Sequence, residues 1–334
     1  MQNNIHVVQI RSESGAVIAA QVSGETLQPL SASLYDLALR AANEGRALSD
    51  VIKASATGET LDYNEMIEAG RLLSPITHPD PAHLLLTGTG LTHLGSAAPR
   101  NKMHDKEGEK SRGEVALTDT QRIFDWGVEG GKPAGGGPGV QPEWFYKGTG
   151  HTLRAPYQDI QMPAFALDGG EEAELAGVYI VNAQGQVFRI GYALSNEFSD
   201  HVTEKQNYLY LAHSKLRDAS LGPEIVIGEL PEEVRGRVSI HRDGDVVWQH
   251  EFASGEQHMC HSIENLEHHH FKYATFRVPG QLHVHFFGAA ILSFADAVVL
   301  KDGDEMRIEC DLMTKPLVNR IKVMPDASGR VTAL

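Results

Sequence analysis

Residues 169–180, "GGEEAELAGVYI", set three carboxylates at the mouth of an apolar segment. If the segment is a strand, side chains alternate faces with period two. Glu172 and Glu174 then share a face with Ala176, Val178 and Ile180. Glu171 shares the opposite face with Ala173, Leu175 and Tyr179, and is left to solvent. Two carboxylates on a face that continues into a core are costly unless a cation meets them. A Mg²⁺-class ion and a Lys or Arg partner are the candidates.

The next strand-like segment, "VFRIGYALSNEFSDH", ends in Glu197 and Asp200. Sequential strands often pair, which brings Glu197 level with Glu172 and Glu174. Three carboxylates and waters make an octahedral oxygen site for Mg²⁺ or Mn²⁺. The same acids also read as the exposed strand ends of an acidic protein. Upstream, "PEWFYKGTG" places Lys147 after an aromatic run in a glycine-flanked turn. There it either faces the carboxylates, with a role in substrate binding or proton transfer, or snorkels over an aromatic patch. Lys215, in "LAHSKLRDASLGPEIV", repeats the theme.

The elements that must position these groups follow from pattern. "IHVVQI" and "AVIAAQV" read as strands, and "SASLYDLALRAANEGRAL" has helical spacing with Ser31 or Ser33 as cap. A short helix over about 62–72 precedes the proline-rich "SPITHPDP". These form a small α/β N-terminal domain, residues 1–78, with residues 79–334 as the larger domain. The segment 84–114 opens as a buried strand and turns polar, as a surface loop or a lid does. "LTDTQRIFDWGVEGG" is a helix starting at Thr118 or Asp119. From residue 143 onward strands dominate, with a hairpin at "HRDGDVVW" and one helix around "CHSIENLEHHHF". The fold class is α+β, the larger domain a mixed β-roll or barrel.

Composition excludes some function classes. The chain has 334 residues, with 29 basic against 44 acidic, a formal charge of −15. Nucleic acid and anionic membrane are poor partners for such a surface. Cys260 and Cys310 alone give no disulfide framework. The start "MQNNIHVVQI" has no secretory pattern, and the chain reads as soluble and cytoplasmic.

The ordered series "PEWFYKG", "EEAELA", "GYALSNEFSDH", "KLRDASLGPEIV" and "LKDGDEMRIECDLMTKPLVNRI" resembles the fumarylacetoacetate hydrolase superfamily. The resemblance covers about residues 80–322. It implies a β-roll, a divalent cation (Mg²⁺, with Mn²⁺ or Ca²⁺ as alternatives), a small 2-oxo acid substrate and a homodimer. Carried over, Glu172, Glu174 and Glu197 match the metal ligands, and Lys147 the catalytic lysine. Lys215, His201, Gly288 and Ala289 match substrate-binding positions. Glu197 stands where relatives have Asp, and His201 where many have Arg. The acid/base pair of the hydrolases, on a lid, matches His104 and Glu107 in "MHDKE", with His93 as a competing choice.

The histidine-rich stretch 258–285 and the small N-terminal domain are similar to a branch associated with sugar-acid catabolism. Its histidines admit a zinc reading or the polar lining of a pocket for hydroxylated substrates. The expected activity is a metal-dependent dehydratase of a 2-keto-3-deoxy sugar acid, pentonate-type. The alternatives are an acylpyruvate-type C–C hydrolase, a noncatalytic sugar-acid binding protein and a Schiff-base aldolase through Lys147.

Overall fold

The computed structural model describes residues 4–95, 118–327 and 329–334. The N-terminal region holds β1 (Ile5–Arg11), β2 (Val17–Ser23), β3 (Thr26–Pro29), α1 (Leu34–Glu44), α2 (Leu48–Lys53), β4 (Leu61–Asp62), α3 (Tyr63–Glu68) and β5 (Leu72–Leu73). Ser33 caps α1, its Oγ accepting from Asp36 N at 3.1 Å, and Gly45 ends it at φ 63°. Asp62 caps α3 in the same way.

The larger part continues with β6 (Leu84–Gly88), α4 (Asp119–Gly130), β7 (Phe145–Thr149), β8 (Leu153–Arg154), β9 (Asp159–Met162), β10 (Ala173–Val181) and β11 (Val187–Asn196). Then follow α5 (His201–Gln206), α6 (Leu211–Lys215), β12 (Ala219–Ile227), β13 (Val234–Arg242) and β14 (Asp245–Ser254). The chain closes with α7 (Ile263–Phe271), β15 (Leu282–Phe286), β16 (Glu305–Cys310) and β17 (Leu317–Val323). The expected hairpin joins β13 to β14 through Asp243 and Gly244, both at positive φ (53° and 92°).

Among the described residues the strands form two sheets. The larger has twelve strands in the order β4-β3-β2-β1-β12-β11-β10-β15-β6-β7, with β5 on β1 and β8 on β12. The smaller runs β14-β13-β16-β17-β9. The N-terminal strands therefore extend the main sheet, through antiparallel pairing of Val7 with Ile225. On the other side the sheet closes on itself: β7 leads within a few residues to β8, which pairs with β12. Laid flat, β7 would sit about 19 Å from β11, at ~4.8 Å per strand. Instead Lys147 on β7 touches Glu197, the residue just past β11, at 2.6 Å. The mixed β-roll expected from the sequence is present.

All nine residues of β10 are buried, because both faces are covered. Ala176, Val178 and Ile180 join a core with Leu34, Leu37 and Ala41 of α1. Ala173 and Leu175 join the second core, against Val238, Ile240, Met306 and Ile308 of the smaller sheet. No helix among the described residues is long and apolar enough to cross a membrane.

Candidate metal centre

The antiparallel pairing of β10 with β11 sets Ala173 opposite Asn196 and Glu174 opposite Ser195. One step beyond the strand, Glu197 N donates to Glu172 O at 3.0 Å, and Gly170 and Ser199 exchange backbone hydrogen bonds at 2.9 and 3.0 Å. The pairing thus carries past the strand ends and brings the acids level. Carboxylate oxygens of Glu172, Glu174 and Glu197 lie within 4.8 Å of one another, and all three side chains are buried. Among the described residues they are the group of three or more His, Cys, Asp or Glu whose donor atoms converge so closely.

Two lysines enter from different elements. Lys147 Nζ, from β7, forms an ion pair with Glu197 Oε1 at 2.6 Å and donates to Phe198 O at 2.6 Å and Lys215 O at 3.0 Å. Lys215, at the end of α6, reaches Glu172 Oε1 at 2.5 Å, Glu197 Oε2 at 2.6 Å and Ser199 Oγ at 3.1 Å. Its ammonium also lies 4.8 Å from the Phe145 ring centre, a cation–π contact. One correction follows: Lys147 sits on a strand, not in a turn, and its ammonium is enclosed by protein acceptors, which suits electrostatic support of Glu197. Burial lowers its pKa, against the pull of Glu197.

The acids respond differently to the same enclosure. Burial pushes Glu172 up, but Lys215 and His201 outweigh it and hold the carboxyl well below its ordinary value. Glu174 goes the other way: burial, then Glu197 and Glu172, raise it well above. Burial also raises Glu197, to about 7, against both lysines. Gly288 N donates to Glu174 Oε2 at 2.7 Å, and no cation among the described residues lies within ion-pair distance of Glu174. With the His201 imidazolium and the Asp168 carboxylate it faces counted in, four carboxylates meet three cations, which leaves the oxygen-only donor set short of one positive charge. That set fits a hard divalent cation of the Mg²⁺ class.

The remaining expected residues fall at different places. His201 is buried at the start of α5, with Nε2 3.0 Å from Glu172 Oε1 and Nδ1 3.7 Å from Asp168 Oδ2. Burial lowers its pKa, but Asp168 and Glu172 outweigh that and raise it to about 10. Gly288 contributes its backbone N–H to Glu174, and Ala289 follows it half-buried. His93 is buried beside β14, its Nε2 2.9 Å from Ser254 Oγ, and burial pushes its pKa down to about 4. His104 and Glu107 lie outside the described residues.

Glu171 is a further correction. Its side chain does point away from Glu172, yet it is buried: Ser293 N and Ser293 Oγ donate to its carboxylate at 2.8 and 2.6 Å. The opposite face of this strand meets the 288–293 segment, not solvent. Sequence reasoning also missed Asp168 and Ser199. Asp168 lies just before "GGEEAELAGVYI" and Ser199 inside "SNEFSDH", and only the Gly169-Gly170 pair hinted at a close approach there.

Among the described residues the histidine-rich region brings no three donor atoms together as a zinc cradle would. His270 and His285 stack at 4.7 Å with planes 23° apart, so their nitrogens do not converge. His270 Nε2 meets His283 Nδ1 at 3.1 Å, and Thr87 Oγ1 meets His285 Nδ1 at 2.8 Å. Burial pushes His283 and His285 down to about 3 from an ordinary 6.5. These imidazoles are neutral when folded and protonate on unfolding in acid, so stability is full above pH 6.5 and falls from there toward pH 3. Each contributes a slope of about 1.4 kcal/mol per pH unit. His285→Gln, which keeps a partner for Thr87, is expected to flatten stability against pH by that amount between pH 6 and 4 in urea melts. An unchanged slope would refute it.

No family model matches the chain, and no curated protein does. Solved structures do. An apo 2-keto-3-deoxy-D-arabinonate dehydratase superposes with TM-score 0.67 at 20% identity, covering 98% of this chain and 100% of its own. The same kind of protein complexed with magnesium and 2,5-dioxopentanoate gives 0.67 at 20%, over 97% and 99%. A 5-carboxymethyl-2-hydroxymuconate delta-isomerase from Mycobacterium smegmatis gives 0.58 at 19%, over 96% and 100%. The chain has the fumarylacetoacetate hydrolase fold. The superpositions span the N-terminal strands as well as the roll. Dehydratase and isomerase both stand on the fumarylacetoacetate hydrolase fold, so reaction type must be argued from the site.

Proposed function

We propose that this protein is a divalent-metal-dependent hydro-lyase acting on a 2-keto-3-deoxy sugar acid, pentonate-type. The observation that carries the reading is the enclosed Glu172–Glu174–Glu197 group with two lysines and too little positive charge. It is supported by the likeness in fold to a dehydratase complexed with magnesium and 2,5-dioxopentanoate. Glu172, Glu174 and Glu197 hold the cation, Mg²⁺ in our reading, with Mn²⁺ as the main substitute. When bound, the ion supplies Lewis acidity toward the carboxylate and C2 carbonyl oxygens of a 2-oxo acid.

The chain's own groups do the rest. Lys147 keeps Glu197 oriented through its Oε1, and Lys215 ties Glu172 to Glu197 through one oxygen of each. The Gly288 amide fixes the rotamer of Glu174. In the elimination a base takes a C3 proton and the C4 hydroxyl leaves as water; tautomerisation of a five-carbon acid then gives 2,5-dioxopentanoate. We also propose a homodimer, to be checked by light scattering.

The test offers stereoisomeric 2-keto-3-deoxypentonates and 2,4-diketo acids with Mg²⁺ and follows products by NMR. Loss of water to the dioxo acid is the expected result. Pyruvate or glycolate released from diketo acids, with no semialdehyde from the deoxy acids, overturns the dehydratase in favour of a C–C hydrolase.

A further inference from the structure

We propose that Asp168 and His201 are positioning residues that fix Glu172 in the orientation the metal centre needs. This rests on the metal reading of the glutamate cluster given above. Sequence similarity placed His201 among substrate-binding residues, but its edges face the protein. Nε2 lies 3.0 Å from Glu172 Oε1, and Nδ1 faces Asp168 Oδ2 at 3.7 Å. The imidazole is as buried as the three glutamates, and both of its nitrogens are turned to protein carboxylates.

The ring's place is set from several sides. A Cβ on Gly170 would lie 2.4 Å from His201 Nδ1, so the ring rests directly on glycine backbone. Gly170 is itself held by its bridge to Ser199, two residues past Glu197. Phe294 packs near the imidazole at 5.2 Å between ring centres. Asp168 is held through its neighbour: Leu167 N donates to Asp200 Oδ2 at 3.0 Å, and Asp200 also pairs with Arg217 at 2.9 Å. Asp200 caps α5, whose first residue is His201, accepting from Thr203 N at 2.9 Å. One acidic side chain thus anchors both members of the pair.

The consequence lies at Glu172. His201 and Lys215 both address Oε1, at 3.0 and 2.5 Å. With Oε1 fixed twice, the carboxylate plane is set and Oε2 is the oxygen left to ligate. A lysine alone, on a flexible stem, sets charge but not the plane; the buried imidazole backed by Asp168 supplies the second point that defines it.

The test is Mn²⁺ affinity, followed by the EPR signal of free ion, in wild type, His201→Gln, His201→Ala, Asp168→Asn, Gly170→Ala and the His201→Ala/Asp168→Asn double variant. Metal-free melting selects the variants that fold; if His201→Ala does not, His201→Gln and Asp168→Asn carry the test. We expect His201→Ala to weaken Mn²⁺ binding roughly 10–100-fold, the range for lost outer-shell support. His201→Gln should recover part of it, and Gly170→Ala, which pushes on the ring without changing a polar group, should weaken binding as well. The double variant should bind no more weakly than His201→Ala, because the two act in series. Turnover at saturating Mn²⁺ should largely return.

Variants that bind Mn²⁺ as wild type does overturn this inference and leave the metal reading standing. Wild type binding no Mn²⁺ overturns the metal reading, and this inference with it. A raised KM with unchanged Mn²⁺ affinity returns His201 to the substrate and overturns the positioning role.

Discussion

Glu174→Gln is expected to abolish practical metal binding and at the same time make the metal-free protein more stable. The two effects have one cause. Glu174 is buried, accepts one hydrogen bond from Gly288 N and faces Glu172 and Glu197, with no cation among the described residues at ion-pair distance. Glutamine keeps an acceptor oxygen for Gly288 and occupies nearly the same volume, but it carries no charge into the like-charged group. An uncompensated buried polar group costs about 1–3 kcal/mol and a charged one more, so metal-free stability should rise by at least that order. Affinity for Mg²⁺ or Mn²⁺ should fall by more than about 100-fold, since the loss of outer-shell support alone costs 10–100-fold. Paired urea melts and Mn²⁺ titrations decide the matter. A variant less stable than wild type without metal would mean that Glu174 has a structural cation we have not identified, and full Mn²⁺ affinity would remove Glu174 from the ligand set.

What the sequence could disclose about this site was set by local chemistry. Period two on one strand puts Glu172 and Glu174 on a common face, and neighbour pairing brings Glu197 beside them; the observed β10–β11 register does both. Helix caps at Ser33, Asp62 and Thr118 follow from side chains a few residues from the amides they serve. The errors arose where the partner is distant in sequence. Glu171 had no visible reason to be buried, because its partner Ser293 is 122 residues away. Lys147 was taken for a turn residue, because the strand that β7 pairs with, β6, lies far upstream and the register slips at Lys147 itself. The direction of the His201 ring was equally out of reach, because it depends on Gly170 letting the ring sit against bare backbone. Likewise the pattern shows the N-terminal strands but not the sheet they join, since β1 pairs with β12, more than two hundred residues later.

Lys147→Met should move both observables in the opposite direction to Glu174→Gln. Methionine fills the stem's volume in a site where the lysine side chain has no exposure, so the change is chiefly electrostatic. It strips the ion pair from Glu197 Oε1 and leaves the Phe198 and Lys215 carbonyls without that donor. Breaking one side of a buried, hydrogen-bonded ion pair costs about 3–5 kcal/mol. The metal-free protein should lose stability on that scale. Affinity for Mn²⁺ should hold or increase, because one positive charge no longer competes for Glu197. Saturating metal should then restore more stability to the variant than it adds to wild type, in the proportion set by ligand linkage. Turnover should still fall about 10²–10³-fold, the range for losing one preorganised electrostatic partner. Adding Glu197→Gln to Lys147→Met should recover part of the lost stability while removing the metal response, since the two groups are coupled through a direct contact. A Lys147→Met protein with wild-type stability, or one that metal fails to rescue, would show that the lysine and the cation do not answer to the same carboxylate.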